Sequence, residues 1–145
     1  MVQLWGGIDV LISNAGIGMR TVNLGFVTDP HPFWEDSASA FRDLTDTNLT
    51  GYFLVAKAVV PYFLNAGGGR VINVGINHET MKQKGMIPYR PSRAGTESLS
   101  HIMAQDLAGR GVTVNILLPG GATETGGPTC LLTPRSSNGA SPIAV

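Results

Sequence analysis

The stretch Ile8-Asp9-Val10-Leu11-Ile12-Ser13-Asn14-Ala15-Gly16 decides how the rest of the chain is read. Residues 8–13 are mostly apolar and rich in β-branched side chains, with no strict alternation, and they stop at a small polar turn. A run of that kind is a buried parallel strand with a glycine turn at its carboxyl end. Residues 70–74 and 112–118 have the same character, and each follows a glycine stop, Gly67-Gly68-Gly69 and Gly109-Arg110-Gly111. Three strands are therefore expected.

Helical patterns fill the gaps between them. Over residues 36–66, Phe41, Leu44, Leu49, Phe53 and Ala56 recur at helical spacing, Asp36 or Ser37 is placed to cap the start, and Asn48 falls in the middle. Pro61 should bend or shorten that helix, because its ring removes an N–H and crowds the preceding turn. Over residues 91–108, Ala94, Leu99, Ile102, Met103 and Leu107 form an apolar face, with Ser92 near the start and Gly109 after the end. Strand, helix, strand, helix, strand, with crossovers this long, makes an α/β chain with a partial doubly wound, Rossmann-like parallel sheet. Ligands of such sheets sit beyond the carboxyl ends of the strands. Residues 18–32 read as a loop. Residues 1–125 read as one partial domain, and residues 126–145, crowded with turn formers, as a loose tail.

Composition narrows the function classes. The 145 residues carry ten basic and ten acidic side chains, a formal net charge of zero, which argues against a nucleic-acid binder. Charged residues are 14% of the chain, against about 25% in typical soluble proteins, and 19 residues are glycine. That combination suits a buried sheet with tight turns. Cys130 is the single cysteine, which rules out an internal disulfide and fits a reducing compartment. No basic segment followed by an apolar stretch opens the chain. The longest apolar run, Leu54 to Leu64, contains Lys57 and Pro61 and is too short to span a bilayer. A cytoplasmic protein without membrane contact is expected.

Several motifs have plain explanations. His78-Glu79-Thr80-Met81-Lys82 begins like a zinc-protease helix but has lysine where the second histidine belongs, and His31 and His101 have no ligand-spaced partners. No metal site is expected. Lys82, Lys84, Arg90 and Arg93 gather without an acidic residue between them and read as a solvated stretch. Asn48-Leu49-Thr50 matches a glycosylation sequon that a cytoplasmic chain would not expose to that machinery.

Tyr89-Arg90-Pro91-Ser92-Arg93 carries more information, since i, i+4 spacing puts the phenol and a guanidinium on one helix face. A tyrosine with its ordinary pKa of about 10 works in acid–base chemistry only where a nearby cation stabilises the phenolate. In a parallel sheet the turns after each strand converge on one rim. Asn14-Ala15-Gly16, Tyr89 and Pro119-Gly120 all follow strands, and Asn48 lies on the intervening helix.

In this order the chain resembles the short-chain dehydrogenase/reductase family. Ser13-Asn14-Ala15-Gly16 corresponds to its Asn-Asn-Ala-Gly turn and Asn48-Leu49-Thr50-Gly51 to its helix asparagine. Tyr89-x-x-x-Arg93 corresponds to its Tyr-x-x-x-Lys, and Val114 to Gly120 to its Asn-x-x-Pro-Gly region. The resemblance implies hydride transfer between NAD or NADP and a small carbonyl or alcohol substrate. Tyr89 would be the acid–base residue and Arg93 the cation that also holds the ribose, while Asn48 would support a relay water. Asn14, Ala15 and Gly16 would approach the cofactor's adenosine ribose region, and Pro119, Gly120 and Thr123 would flank the nicotinamide.

Three departures accompany the resemblance. The family's opening strand and Thr-Gly-x-x-x-Gly-x-Gly turn, whose amides hold the pyrophosphate, has no counterpart before Ile8, and Gly16-Ile17-Gly18 lacks the third glycine. In the order 3-2-1-4-5-6 the chain would supply strands four to six and leave one long edge without its neighbour. The family's serine, thirteen residues before the tyrosine, is Ile76, with Asn77 and His78 as polar neighbours that could stand in. Arg93 keeps the charge of the family's lysine, but a permanently protonated fork cannot pass a proton on. The expectation is an oxidoreductase with impaired catalysis. The alternative is a non-catalytic remnant or interaction module that associates with related subunits, or with itself, through its two long helices.

Overall fold

The computed structural model describes residues 6–77 and 82–119. Strand β1 (Val10–Ser13) is followed by short 3-10 turns at Met19–Thr21 and Phe33–Glu35. Helix α1 (Ala38–Thr45), a π-type turn (Asp46–Thr50) and helix α2 (Gly51–Asn65) then run on from one another. Strand β2 (Gly69–Val74), helix α3 (Tyr89–Asp106) and strand β3 (Val112–Leu117) complete the order. The three strands are parallel and adjacent in sequence order, with Leu11 opposite Val71, Ser13 opposite Asn73, and Val71 opposite Val114. This is the expected α/β class. The tail over residues 126–145, with Gly120 and Thr123, lies outside the described residues.

Both long helices cover the same face of the sheet. Phe63 from α2 and Leu107 at the end of α3 close on Val71 and Val112, with Leu11, Val59, Val60, Met103 and Val114 packed around them. Phe63 is fully buried, a transfer worth about 1.5–3 kcal/mol. Its ring lies so close to β2 that a Cβ on Gly69 would overlap it. The opposite face leaves Val10, Ile12 and Leu117 46%, 61% and 55% exposed. β1 forms one edge of the sheet.

Four sequence expectations need correction. The single helix over 36–66 is two helices with a π turn between them, so Asn48 sits on a widened turn rather than in a regular helix. Ser37 is its cap, accepting the Ala40 N–H at 3.1 Å. Pro61 does not end α2, which continues to Asn65. Pro61 and Lys57 are both exposed, so the carbonyl that loses its helical partner lies on the solvated side. Helix α3 starts at Tyr89, two residues early, and most of its buried positions are polar: Ser92, Thr96 and Ser100, with Arg90 and Arg93. Ile102, read as core, is 58% exposed.

Candidate active site

The carboxyl ends of the parallel strands form one rim, built from the turn after Ser13, residues 75–77 after Val74, and residues 118–119 after Leu117. Asn14, Ala15, Gly16 and Pro119 are exposed along it. The first turn of α3 brings Tyr89 and Arg93 to the same region, and the π turn brings Asn48. Pi-type bulges recur at functional sites because they rotate one side chain out of helical phase.

Asn48 is fully buried and ties the rim turn to the helices. Its Oδ1 accepts the Ile17 N–H at 2.9 Å, and its Nδ2 donates to the Ile17 carbonyl at 2.9 Å and to Ser92 Oγ at 3.2 Å. Thr96 Oγ1 donates to the Asn48 carbonyl at 3.4 Å. Ser92, expected near the helix start, donates to the Tyr89 carbonyl at 2.7 Å and is part of the site's wall.

Arg93 occupies the centre. It is 7% exposed, and its Nη1 donates to the Tyr52 hydroxyl and, at 3.2 Å, to the Val74 carbonyl. Its guanidinium carbon lies 5.6 Å from the Tyr52 ring centre and 5.7 Å from that of Tyr89, within cation–π range of both. Nη2 fills the space a side chain on residue 16 would need, since a Cβ at Gly16 would overlap it. Gly16, Asn48, Tyr89 and Arg93 are thus brought together, and Asn14, Ala15 and Pro119 flank them on the rim.

Tyr52 belongs to this group and was not anticipated. It is 3% exposed, four residues after Asn48, a spacing that would have flagged it as a neighbour on the same face. Burial pushes its phenol above the ordinary range, with Arg93's charge and hydrogen bond opposing. At the end of β2, Gly75 donates its N–H to the Leu117 carbonyl at 3.0 Å, and the half-buried Ile76 follows. Among the described residues no group of three or more His, Cys, Asp or Glu is placed to hold a metal, and no helix is long and apolar enough to cross a membrane.

Comparison with known proteins bears on the fold and the family. The family model described as short chain dehydrogenase matches residues 1–128. The chain is 35% identical over 116 residues to 3-oxoacyl-(acyl-carrier-protein) reductase FabG of Vibrio cholerae, covering 80% of this chain and 43% of that protein. It is 33% identical over 114 residues to the NAD(+) 2-dehydro-3-deoxy-L-rhamnonate dehydrogenase of a Sphingomonas species, covering 79% and 42%. A crystal structure of a short-chain dehydrogenase/reductase from Burkholderia xenovorans superposes with a TM-score of 0.68 at 24% identity, over 81% of this chain and 43% of that one. The chain therefore spans less than half the length of these relatives. The family match over residues 1–128, together with the fold, makes the chain a member of the short-chain dehydrogenase family.

Proposed function

We propose that the chain carries the acid–base half of an NAD(P)-dependent oxidoreductase that moves a hydride between a nicotinamide and a carbonyl or alcohol. The observation that carries the reading is the meeting of Gly16, Asn48, Tyr89 and Arg93 around one buried guanidinium. The relatives' names, a 3-oxoacyl reductase and a sugar-acid dehydrogenase, support a carbonyl–alcohol pair as substrate.

The Gly16 turn tests whether a nicotinamide cofactor fits. The notch left by the missing Cβ holds Arg93 Nη2, so a cation lies beneath the exposed Gly16, a suitable seat for a ribose. Arg93 would hold the ribose, Asn14, Ala15 and Gly16 would approach the cofactor's adenosine ribose region, and Pro119, with Gly120 and Thr123, would flank the nicotinamide. When bound, the cofactor supplies or accepts the hydride. In the reductive direction the Tyr89 phenol gives its proton to the carbonyl oxygen as the carbon is reduced, and Arg93 keeps a positive charge against the Tyr89 ring. Asn48 is fully buried with its amide on Ile17 and Ser92, so here it braces the rim turn and presents no surface to a relay water.

Ile76 offers no hydroxyl to the substrate and Arg93 cannot relay a proton as a lysine does, so turnover is slow. Titration of the chain with NADH and NADPH, followed by oxidation of the bound form with a panel of ketones and 3-oxoacyl thioesters, tests the reading. Binding with turnover that Tyr89→Phe abolishes supports it, and absence of binding to both nucleotides overturns it.

A second reading concerns association. Phe53, Ala56, Val60, Pro61 and Met103 line an apolar groove of about 300 Å³ between α2 and α3. Phe53, Leu54 and Ile102 are 45%, 55% and 58% exposed on these helices. We infer a homo-oligomer through this surface, and sedimentation showing only monomer at micromolar concentration would refute it.

A further inference from the structure

We propose that Tyr52 is a positioning residue that holds the Arg93 guanidinium against Tyr89, so that an arginine can act here as a fixed cation. The proposal rests on the assignment of Tyr89 and Arg93 as the acid–base pair. Arginine has a long, flexible stem, and a cation is useful to a neighbouring phenol only if its head stays in one place. Two acceptors meet Nη1, the Tyr52 hydroxyl and the Val74 carbonyl, while Nε is buried without a hydrogen-bond partner among the described residues. Removing the Tyr52 hydroxyl would leave the backbone carbonyl alone to orient a buried fork.

The chemistry of the acceptor matters as much as its place. A carboxylate at this position would fix the guanidinium but neutralise it. Burial keeps the Tyr52 phenol protonated, so it orients the cation and leaves its charge available to the second ring. Tyr52 is 3% exposed, so its side chain is closed off from a substrate at the rim. It can act only through Arg93. The geometry follows from the sequence, because the π turn that carries Asn48 ends one residue before α2 begins, and Tyr52 lies in the first turn of α2 on the Asn48 side.

Nitrogen-15 NMR of the arginine guanidinium groups in the full chain tests this directly, with Arg93→Lys used to assign the Arg93 signal. The unaltered chain should show slowed rotation of the Arg93 head, and Tyr52→Phe should release it. A freely rotating Arg93 in the unaltered chain overturns the proposal with no variant needed. In turnover, Tyr52→Phe should lower kcat roughly tenfold, as expected for loss of one charge-assisted hydrogen bond, with less change in the cofactor KM. In an Arg93→Met background the same substitution should have no further effect on kcat/KM. Equal losses in both backgrounds, or unchanged Arg93 rotation in Tyr52→Phe, would refute the role. If the unaltered chain turns over no substrate, the oxidoreductase reading fails, while the NMR result still decides whether Tyr52 positions Arg93.

Discussion

Gly16→Ala is the substitution that most directly probes the centre of the site. Gly16 is not among the glycines with positive φ, so alanine meets no backbone strain there. In the unfolded chain the lost freedom of glycine would favour the variant by about 0.4–1 kcal/mol. Against that, the new Cβ would overlap Arg93 Nη2, stand 3.0 Å from Arg93 Cζ, and come within 2.7 Å of Asn48 Oδ1. Moving the guanidinium away breaks its bonds to Tyr52 and Val74, each a charge-assisted contact worth about 1.5–3 kcal/mol. Partial relaxation recovers some of this, and the net destabilisation should be about 2 kcal/mol. The steric cost outweighs the gain.

A double-mutant cycle with Arg93→Ala, read by urea unfolding, separates this cause from others. In the Arg93→Ala background the 2.7 Å approach to Asn48 Oδ1 remains, so Gly16→Ala should still cost about 1 kcal/mol there, giving a coupling of about 1 kcal/mol. If Gly16→Ala costs the same in both backgrounds, or shifts stability by less than about 0.5 kcal/mol in the unaltered chain, Arg93 does not fill the Gly16 notch.

Other positions give independent checks. Asn48→Ala should lose about 2–4 kcal/mol, because it strands the N–H and carbonyl of Ile17 and removes a partner of Ser92; denaturant unfolding within about 1 kcal/mol of the unaltered chain would contradict the brace assigned to it. Phe63→Ala should cost about 3–5 kcal/mol, the usual penalty for emptying an aromatic site in a core, and a smaller loss in thermal melts would mean that α2 is not docked there. Asp36 has its carboxyl raised above the ordinary 3.8, first by burial, with His31 opposing and Glu35 adding. The folded chain thus holds that proton more tightly than the unfolded one, and its advantage, complete below 3.8, is lost as pH rises through the folded value. Asp36→Asn should therefore gain in Tm over the unaltered chain as pH climbs through that window, and a constant difference would refute the assignment.

The strands were legible because each is a β-branched run closed by glycines, and β1 to β3 fall within two residues of the runs at 8–13, 70–74 and 112–118. Gly16, Asn48, Tyr89 and Arg93 were legible as strand-end and helix-face residues of one rim. The buried face of α3 was not. Apolar periodicity pointed to Ile102 and Leu99, whereas the buried Ser92 and Ser100 hydroxyls accept from Asn48 and Asn73, 44 and 27 residues away in sequence, and the Thr96 hydroxyl donates to the Asn48 carbonyl. Local pattern cannot register partners supplied by tertiary structure. Tyr52, four residues after Asn48, was legible as a neighbour of the site, but the partner of its hydroxyl, Arg93, lies 41 residues away and is supplied by the fold.

The bonds that shape the site also join the layers of the fold. From the sheet, Asn73 donates to Ser100 at 2.8 Å and Ser100 to the Thr96 carbonyl at 2.7 Å. Thr96 reaches the Asn48 carbonyl, and Asn48 reaches the rim turn at Ile17. A buried polar run of this kind rigidifies a structure when its members are paired and destabilises it sharply when one is removed. The apolar contribution comes from one face of the sheet, since the other leaves Val10, Ile12 and Leu117 largely exposed. Stability therefore leans on the same residues as the proposed chemistry. Substitutions at Asn48 and Ser92 should lower activity and stability together, because each loosens the turn proposed to seat the cofactor. Tyr89→Phe removes a hydroxyl on a half-buried ring with no partner inside this run, so its loss of turnover should come without a matching loss of stability. That contrast distinguishes a residue that reacts from one that holds the reacting groups in place.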